Sequence, residues 1–449
     1  MNTWSSSRDR AAPWHERLQT LGSLRALLPL LLAALLFVRV LNDDRSAPNS
    51  RHSGSLNLSA VIALALIALA GITLLRARRG ILAAVLMGTW LCVWMAVAVH
   101  TSGASTETLR EGVREASVVA VGLIVYDTSA ITMRMAVRLV QLIGAVPAVL
   151  ALYQLATHTG MLVAHNIRAN GTFAHPNSAA MFFAIAAAAS LWLYLDSRQM
   201  ADVILTALFS AALIATFSID GLAAVTAILI ALGALRSGPP QAKLVPVAIA
   251  AAIVLVFFAT PLGSKRVAGE TATNLTAAER GETTSTLDTR LYRWKTLLPE
   301  WEDAPVMGQG LGVTTTAEGT RAEPLNGLLP HNEYIRYLVE TGVIGIVILL
   351  AALVILVRRL LRIRGDPSDV ATPMGANLAL AVVVGCLVNS LADNTLLNSP
   401  SCYAAALIVA AALGLGYGGG QATAMRDLRA AGAGDGGGRP EGSQLGPTS

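Results

Sequence analysis

The sequence predicts an all-α fold: a polytopic integral membrane bundle of about twelve transmembrane helices with one large external loop. Three observations predict it. The 449 residues are 54% hydrophobic and 14% charged, with mean hydropathy +0.58, whereas a soluble chain carries about 25% charged residues. Apolar runs recur at the length a bilayer demands, about 20 residues at ~1.5 Å each. A single long polar interval, residues 262–331, separates the ninth run from the tenth.

The runs fall at about 24–41, 56–75, 80–99, 115–133, 139–157, 177–195, 203–219, 222–235, 244–261, 333–357, 374–392 and 401–417. The first follows Arg8, Arg10, Arg17 and Arg25, as a signal peptide would. It is longer than a signal-peptide core and no A-x-A site follows it, so it is expected to be the first span. Asp127 makes the edges of the fourth run uncertain, and the two short runs around Asp220-Gly221 read as a tight hairpin or a re-entrant pair. With the N-terminus in the cytoplasm, Arg76, Arg78, Arg79, Arg134, Arg138, Arg198, Arg236, Lys243 and the group Arg358, Arg359, Arg362 and Arg364 all fall inside, as the positive-inside rule asks. The expected organisation is a cytoplasmic tail (1–23), nine spans (24–261), a periplasmic or external loop (262–331), three spans (332–417) and a Gly/Pro/Ser-rich cytoplasmic tail (418–449) expected to be disordered.

The net charge of +5 sets orientation in such a chain and gives no reason to expect nucleic acid. Cys92, Cys386 and Cys402 lie in or beside apolar runs without CxxC or Cys/His spacing. They read as packed thiols, not as disulfides or metal ligands. EF-hand, P-loop, GxSxG and HExxH patterns are missing from the chain, so nothing calls for a metal, nucleotide or other cofactor.

Three stretches carry candidate chemistry. In the long loop, Arg290, Arg293 and Lys295 lie within six residues, and Thr286 or Asp288 is placed to cap a short helix there. Arg290 and Arg293 then share a face beside an apolar stripe of Trp294, Leu297 and Trp301. This is either an ordinary interfacial helix or one that aims guanidinium forks at phosphate groups. Next, His331-Asn332 opens the tenth span: Asn332 is a helix cap, His331 is either an interfacial side chain or a general base, and Asn332, Arg336 and Glu340 form a polar stripe expected to face the bundle interior. Last, Arg168 precedes a Gly171–Pro176 turn in which Asn177 or Ser178 caps the sixth span. Arg168 adds a cation on the external side, and His175 reads as structural. Asp220-Gly221 reads as a turn, and Asp393 as an ordinary residue at the end of the eleventh span.

These elements resemble one family. His331-Asn332, nine residues, then Gly342-x-x-Gly345 is similar to the His-Asn-x9-Gly-x-x-Gly element of the O-antigen ligase and O-antigen polymerase superfamily. Arg168-x-x-Gly-Thr-Phe-x-His-Pro-Asn177 resembles its Arg-x-x-Gly-x-Phe-x-x-Pro-Asn element. Arg290-x-x-x-Trp294 followed by Pro305-x-x-Gly-x-Gly-x-Gly312 resembles its external-loop element. The resemblance implies a metal-independent, inverting glycosyltransferase of the bacterial inner membrane. Such an enzyme ligates or polymerises undecaprenyl-pyrophosphate-linked glycan for lipopolysaccharide or exopolysaccharide. Its partners would be the lipid-linked donor, a glycan or lipid acceptor, membrane lipid, and a flippase and chain-length regulator. It implies that Arg290 grips the pyrophosphate and His331 serves the acceptor hydroxyl, with Arg168, Asn177, Asp220, Arg293, Asn332 and Arg336 around the substrate. One departure stands out: where many members carry a Ser-Arg-Gly-like element, this chain has Ser218-Ile219-Asp220-Gly221. Ligase and polymerase stay open, with a lean to polymerase. A solute transporter and an inactive partner of an export complex are the alternatives.

Overall fold

The computed structural model describes residues 14–43, 58–102, 106–128, 130–163, 166–270, 286–315, 330–365 and 371–414. The expected disordered tail at 418–449 lies outside them. Among the described residues, helices fall on all twelve apolar runs. They are α1 (Trp14–Leu41), α2 (Leu58–Ala77), α3 (Ile81–Ser102), α4 (Thr106–Thr128), α5 (Met133–Thr157), α6 (Pro176–Ser197), α7 (Met200–Ala215), α8 (Ile219–Leu235), α9 (Pro240–Ala259), α12 (Glu333–Arg364), α13 (Ala371–Asn389) and α14 (Ser399–Gly414). Two more, α10 (Pro261–Glu270) and α11 (Thr286–Asp303), belong to the polar interval. Six helices, α2, α3, α5, α6, α9 and α12, are long and apolar enough to cross a membrane. Among the described residues the fold is all-α but for a hairpin of β1 (Met161–Val163) and β2 (Asn166–Arg168), antiparallel with Met161 opposite Arg168.

Helix α6 is the axis of the bundle. Its alanine-rich face lets α5, α7, α8 and α13 approach closely, and nearly all of it is buried. Phe173, Phe182, Phe183 and Phe209 pack edge-to-face and stacked around it. Leu82, Val85 and Leu86 of α3 and Leu255 of α9 are exposed, which suits helices facing lipid, where apolar side chains lose nothing. Cys92 is exposed too, contrary to the expected packing, while Cys402 is buried.

Three expectations are corrected. Helix α4 starts at Thr106 rather than near 115, because its early charges are compensated inside the protein (below). Asp220-Gly221 is not a turn. The chain bends at Thr216–Ser218, Ser218 caps α8 by accepting from the Gly221 N–H (3.2 Å), and Asp220 sits in the first helical turn. The tenth span is broken: Gly342 adopts φ 61°, ψ −168° inside α12, a region open essentially only to glycine.

That break is filled by the glycine-rich segment after α11. The N–H groups of Gln309 and Gly310 donate to the carbonyls of Val339 and Glu340 (2.8 and 2.9 Å), while Val343 and Ile344 N–H groups donate to Pro305 and Val306 (3.0 and 3.2 Å). The Trp94 indole of α3 donates to both Met307 and Thr341 carbonyls (3.0 and 3.1 Å). Backbone groups freed by a helix break in a membrane must find such partners. The fit needs glycine on both sides, since a Cβ on Gly308 would lie 2.5 Å from the Glu340 carbonyl carbon, and one on Gly342 would strike the Val306 carbonyl. Gly342→Ala is therefore expected to cost at least roughly 1–3 kcal/mol and to lower the melting temperature in detergent. Gly71→Ala, with open space around a helical glycine, should leave it unchanged.

Candidate active site

Two polar clusters form at one end of the bundle, and the first turn of α6 carries both. In the first, the Asn177 side chain is the hub. Its carbonyl accepts from Arg168 Nη2 (2.7 Å) and Ser218 Oγ (3.1 Å), and its amide donates to Asp220 Oδ2 (3.1 Å). Asp220 in turn holds Arg290 of α11 through both terminal nitrogens (Nη1–Oδ1 3.1 Å, Nη2–Oδ2 2.5 Å). Arg168 is buried and also donates from Nε to the Thr216 carbonyl (2.7 Å). Burial, the nearby charge of Arg266 and then opposition from Asp220 leave its pKa lowered to about 10, so it stays cationic at neutral pH.

The second cluster surrounds His331, which stands just ahead of α12 at a positive φ of 49°, uncommon for a residue with a side chain. Its Nδ1 lies 3.0 Å from Asp393 Oδ1. Burial pushes the Asp393 carboxyl up, but the hydrogen bond and charge of His331, helped by His175 and Arg290, bring it below its ordinary value. An ionised Asp393 fixes the Nδ1–H tautomer, leaving Nε2 of the part-exposed ring as a base. Asn398 ties Asp393 back to α6: its amide donates to Asp393 Oδ2 (3.3 Å) and its carbonyl accepts from Ser178 Oγ (2.5 Å).

The loop before α6 is held rigidly. Gln154 accepts from the Asn170 and Gly171 N–H groups (3.0 and 2.8 Å), and Asp43 accepts from the Ala174 N–H (3.1 Å). The α6 cap is His175 and not Asn177 or Ser178, because Pro176 takes the first helical position: His175 Nδ1 accepts from the Asn177 N–H (3.2 Å). Burial first, then the Arg168 charge, lowers the His175 pKa to about 3, so this ring is neutral. It faces His331 at 6.4 Å between centroids.

Of the residues singled out in the sequence, Arg168, Asn177, Asp220, Arg290 and His331 thus converge. Arg293 is buried on α11 along the face it shares with Leu297. Its pKa is lowered to about 10 by burial and then by Arg290. Asp288 lies in the first turn of α11 rather than capping it, and Trp294 points inward enough to donate to the Pro330 carbonyl (2.7 Å). Asn332 is the α12 cap, accepting from Tyr334 and Ile335 N–H groups (3.0 and 3.1 Å). Arg336 is elsewhere. It is fully buried among Glu333 (2.5 Å), Glu111 (2.9 Å), Glu340 (3.1 Å) and Glu115 (3.4 Å), with no face left for substrate. It pins α4 to the short half of α12, as the predicted inward-facing stripe required. Asp393 and His175 are the site residues that sequence reasoning passed over. The available signal for Asp393 was an acid at the end of an apolar run, where a charge is costly unless used.

From Ile219, next to Asp220, an open apolar groove of about 420 Å³ runs between α8 and α9, lined by Leu222, Thr226 and Ile230 on one side and Val254 on the other. Among the described residues no group of His, Cys, Asp and Glu is arranged to hold a metal ion.

The cage around Arg336 makes a distinguishing prediction. Arg336→Ala strands four buried carboxylates, which costs roughly 3–5 kcal/mol. That variant should fail to accumulate as folded protein, while Arg290→Ala strands a single carboxylate that keeps the Asn177 amide and should still purify folded, with a smaller drop in melting temperature.

A comparison with curated proteins returns no match. Residues 204–350 match the family model described as O-antigen ligase. The matched segment contains Asp220, Arg290, His331 and Gly342, while Arg168, Asn177 and Asp393 lie outside it. Fold and family match agree: the chain is an all-α membrane protein whose residues 204–350 are similar to the O-antigen ligase family.

Proposed function

We propose that the chain is a glycosyltransferase that moves a glycan from a polyprenyl pyrophosphate, such as undecaprenyl pyrophosphate, to a hydroxyl acceptor at the outer face of the inner membrane. The observation that carries this reading is the meeting, at one bundle end, of an Asp-oriented histidine with two arginines above a groove open to the membrane. The acceptor hydroxyl gives its proton to His331 Nε2 as its oxygen attacks the anomeric carbon. The bond from that carbon to the phosphate oxygen breaks, and its electron pair leaves on the polyprenyl pyrophosphate. Arg290 and Arg168 stabilise the charge that grows there. The proton on His331 then passes to water. Attack from the side opposite the leaving group inverts the anomeric centre.

Asp393 is a positioning residue in this scheme: it fixes the tautomer and supports the imidazolium, as a carboxylate behind a histidine base does. The groove between α8 and α9 suits the polyprenyl tail, since it is apolar and begins beside the cations. Pyrophosphate is already a good leaving group, so cations and one base supply what the reaction needs, without a metal. Arg134–Asp196 and Arg138–Asp202 pairs sit at the opposite end of the bundle, which supports termini in the cytoplasm.

The test uses protein in lipid nanodiscs with a defined polyprenyl-pyrophosphate oligosaccharide, with and without chelator, and products sized by mass spectrometry. A ladder of longer lipid-linked glycans is expected from a polymerase, and transfer only after an acceptor is added from a ligase. Folded His331→Ala is expected to lose about 10²–10⁴-fold in rate. Asp393→Asn should lose rate with little change in donor binding. Full transfer by His331→Ala, or no product with any acceptor, overturns the assignment.

A further inference from the structure

Asp220 has the wrong sign for a phosphate site, yet it stands in its centre. It lies in the first turn of α8, where a helix N-terminus favours an anion. It takes both terminal nitrogens of Arg290 and the amide of Asn177, whose other end is held by Arg168. Two cations, an amide and a helix N-terminus around one buried carboxylate describe an anion site filled by the protein's own anion. We propose that Asp220 is an internal counter-anion that competes with the donor's phosphate for Arg290 and, after transfer, drives the release of polyprenyl pyrophosphate. This rests on the reading of Arg290 as the phosphate-binding group.

The charge arithmetic of the reaction explains what such a residue is for. In the donor, the terminal phosphate is esterified to sugar. In the product, that ester is gone and the pyrophosphate carries an additional ionisable oxygen, so its negative charge increases. A site built only of arginines therefore binds its product more tightly than its substrate, and release of such a product limits turnover. A carboxylate waiting beside the same guanidinium lowers affinity for both and shortens the lifetime of the product complex. When phosphate takes Arg290, Asp220 keeps the Asn177 amide, which relays it to Arg168, so its charge is never left bare. The same pair holds α11 against α8 while the site is empty, so Arg290 is already in place when donor arrives.

The experiment measures binding of a short polyprenyl pyrophosphate, farnesyl pyrophosphate, to full-length protein in nanodiscs. Wild type is compared with Asp220→Asn, Asp220→Ser and Asp220→Glu, alongside single- and multiple-turnover transfer. Asp220→Asn keeps an acceptor for Asn177 and removes the charge. It is expected to bind the probe at least tenfold more tightly and to lose more rate in multiple turnover than in single turnover. Asp220→Ser should do the same, and serves where the Asn variant does not fold. Asp220→Glu keeps the charge and should not tighten probe binding. Equal or weaker binding by the uncharged variants, or a loss as large in single as in multiple turnover, overturns the inference and makes Asp220 a structural clamp for Arg290. Folded proteins that bind no probe at all, wild type included, overturn the phosphate-binding reading of Arg290, and the inference with it.

Discussion

The exchange of four backbone hydrogen bonds between residues 305–310 and the break at Gly342 is the interaction on which the rest depends. A helix interrupted in a membrane exposes donors and acceptors that lipid cannot satisfy. Here another strand of chain satisfies them in both directions, and glycine alone lets the two backbones come that close. The result is positional. The short half of α12 is aimed by the break and carries His331 at its start. The filling segment continues directly from α11 and so sets the height at which Arg290 meets Asp220. Base and cation are thereby registered to each other through main chain, which is stiffer than any side-chain contact.

The electrostatics divide the bundle into two kinds of charge. The Arg336 cage is fully buried and internally compensated, and serves to lock α4 against α12. The pairs at the mouth differ: His331 and Arg290 keep partial exposure while their carboxylate partners are buried. Buried acid behind a part-exposed base or cation leaves the reactive edge of each pair turned outward. Asn177 and Ser178, adjacent in one helical turn, connect the two pairs through Asn398, so the Arg290 and His331 halves of the site share a single support.

Hydropathy made the bundle readable because span length and apolar run length are the same quantity. It failed where charge is compensated at long range: the early turns of α4 look polar because Glu111 and Glu115 find Arg336 more than 200 residues away. The Asp-Gly pair at 220 carried the local signature of a turn, but Ser218 three residues ahead of Gly221 is an equally local cap signal, and the cap prevailed. The Pro-x-x-Gly-x-Gly-x-Gly and Gly-x-x-Gly elements were visible as patterns, though their mutual fit was not, since no periodicity records which backbone answers which. Asp393 was legible only as an acid out of place, because its partner is fixed by tertiary contact. His175 was half right as structural: it is a cap, and the same ring forms one wall beside His331.

The tie from Ser178 to Asn398 has a consequence for biosynthesis. Helix α6 is made long before the residues that complete its first turn, which follow it by 220 positions or more. Contacts of that sequence separation form late. A chain stopped anywhere before α14 lacks Asn398, and one stopped before residue 331 lacks His331 as well. On the proposed function, copies stopped short of these residues are inert toward the donor, and competence arrives only once α14 has been made.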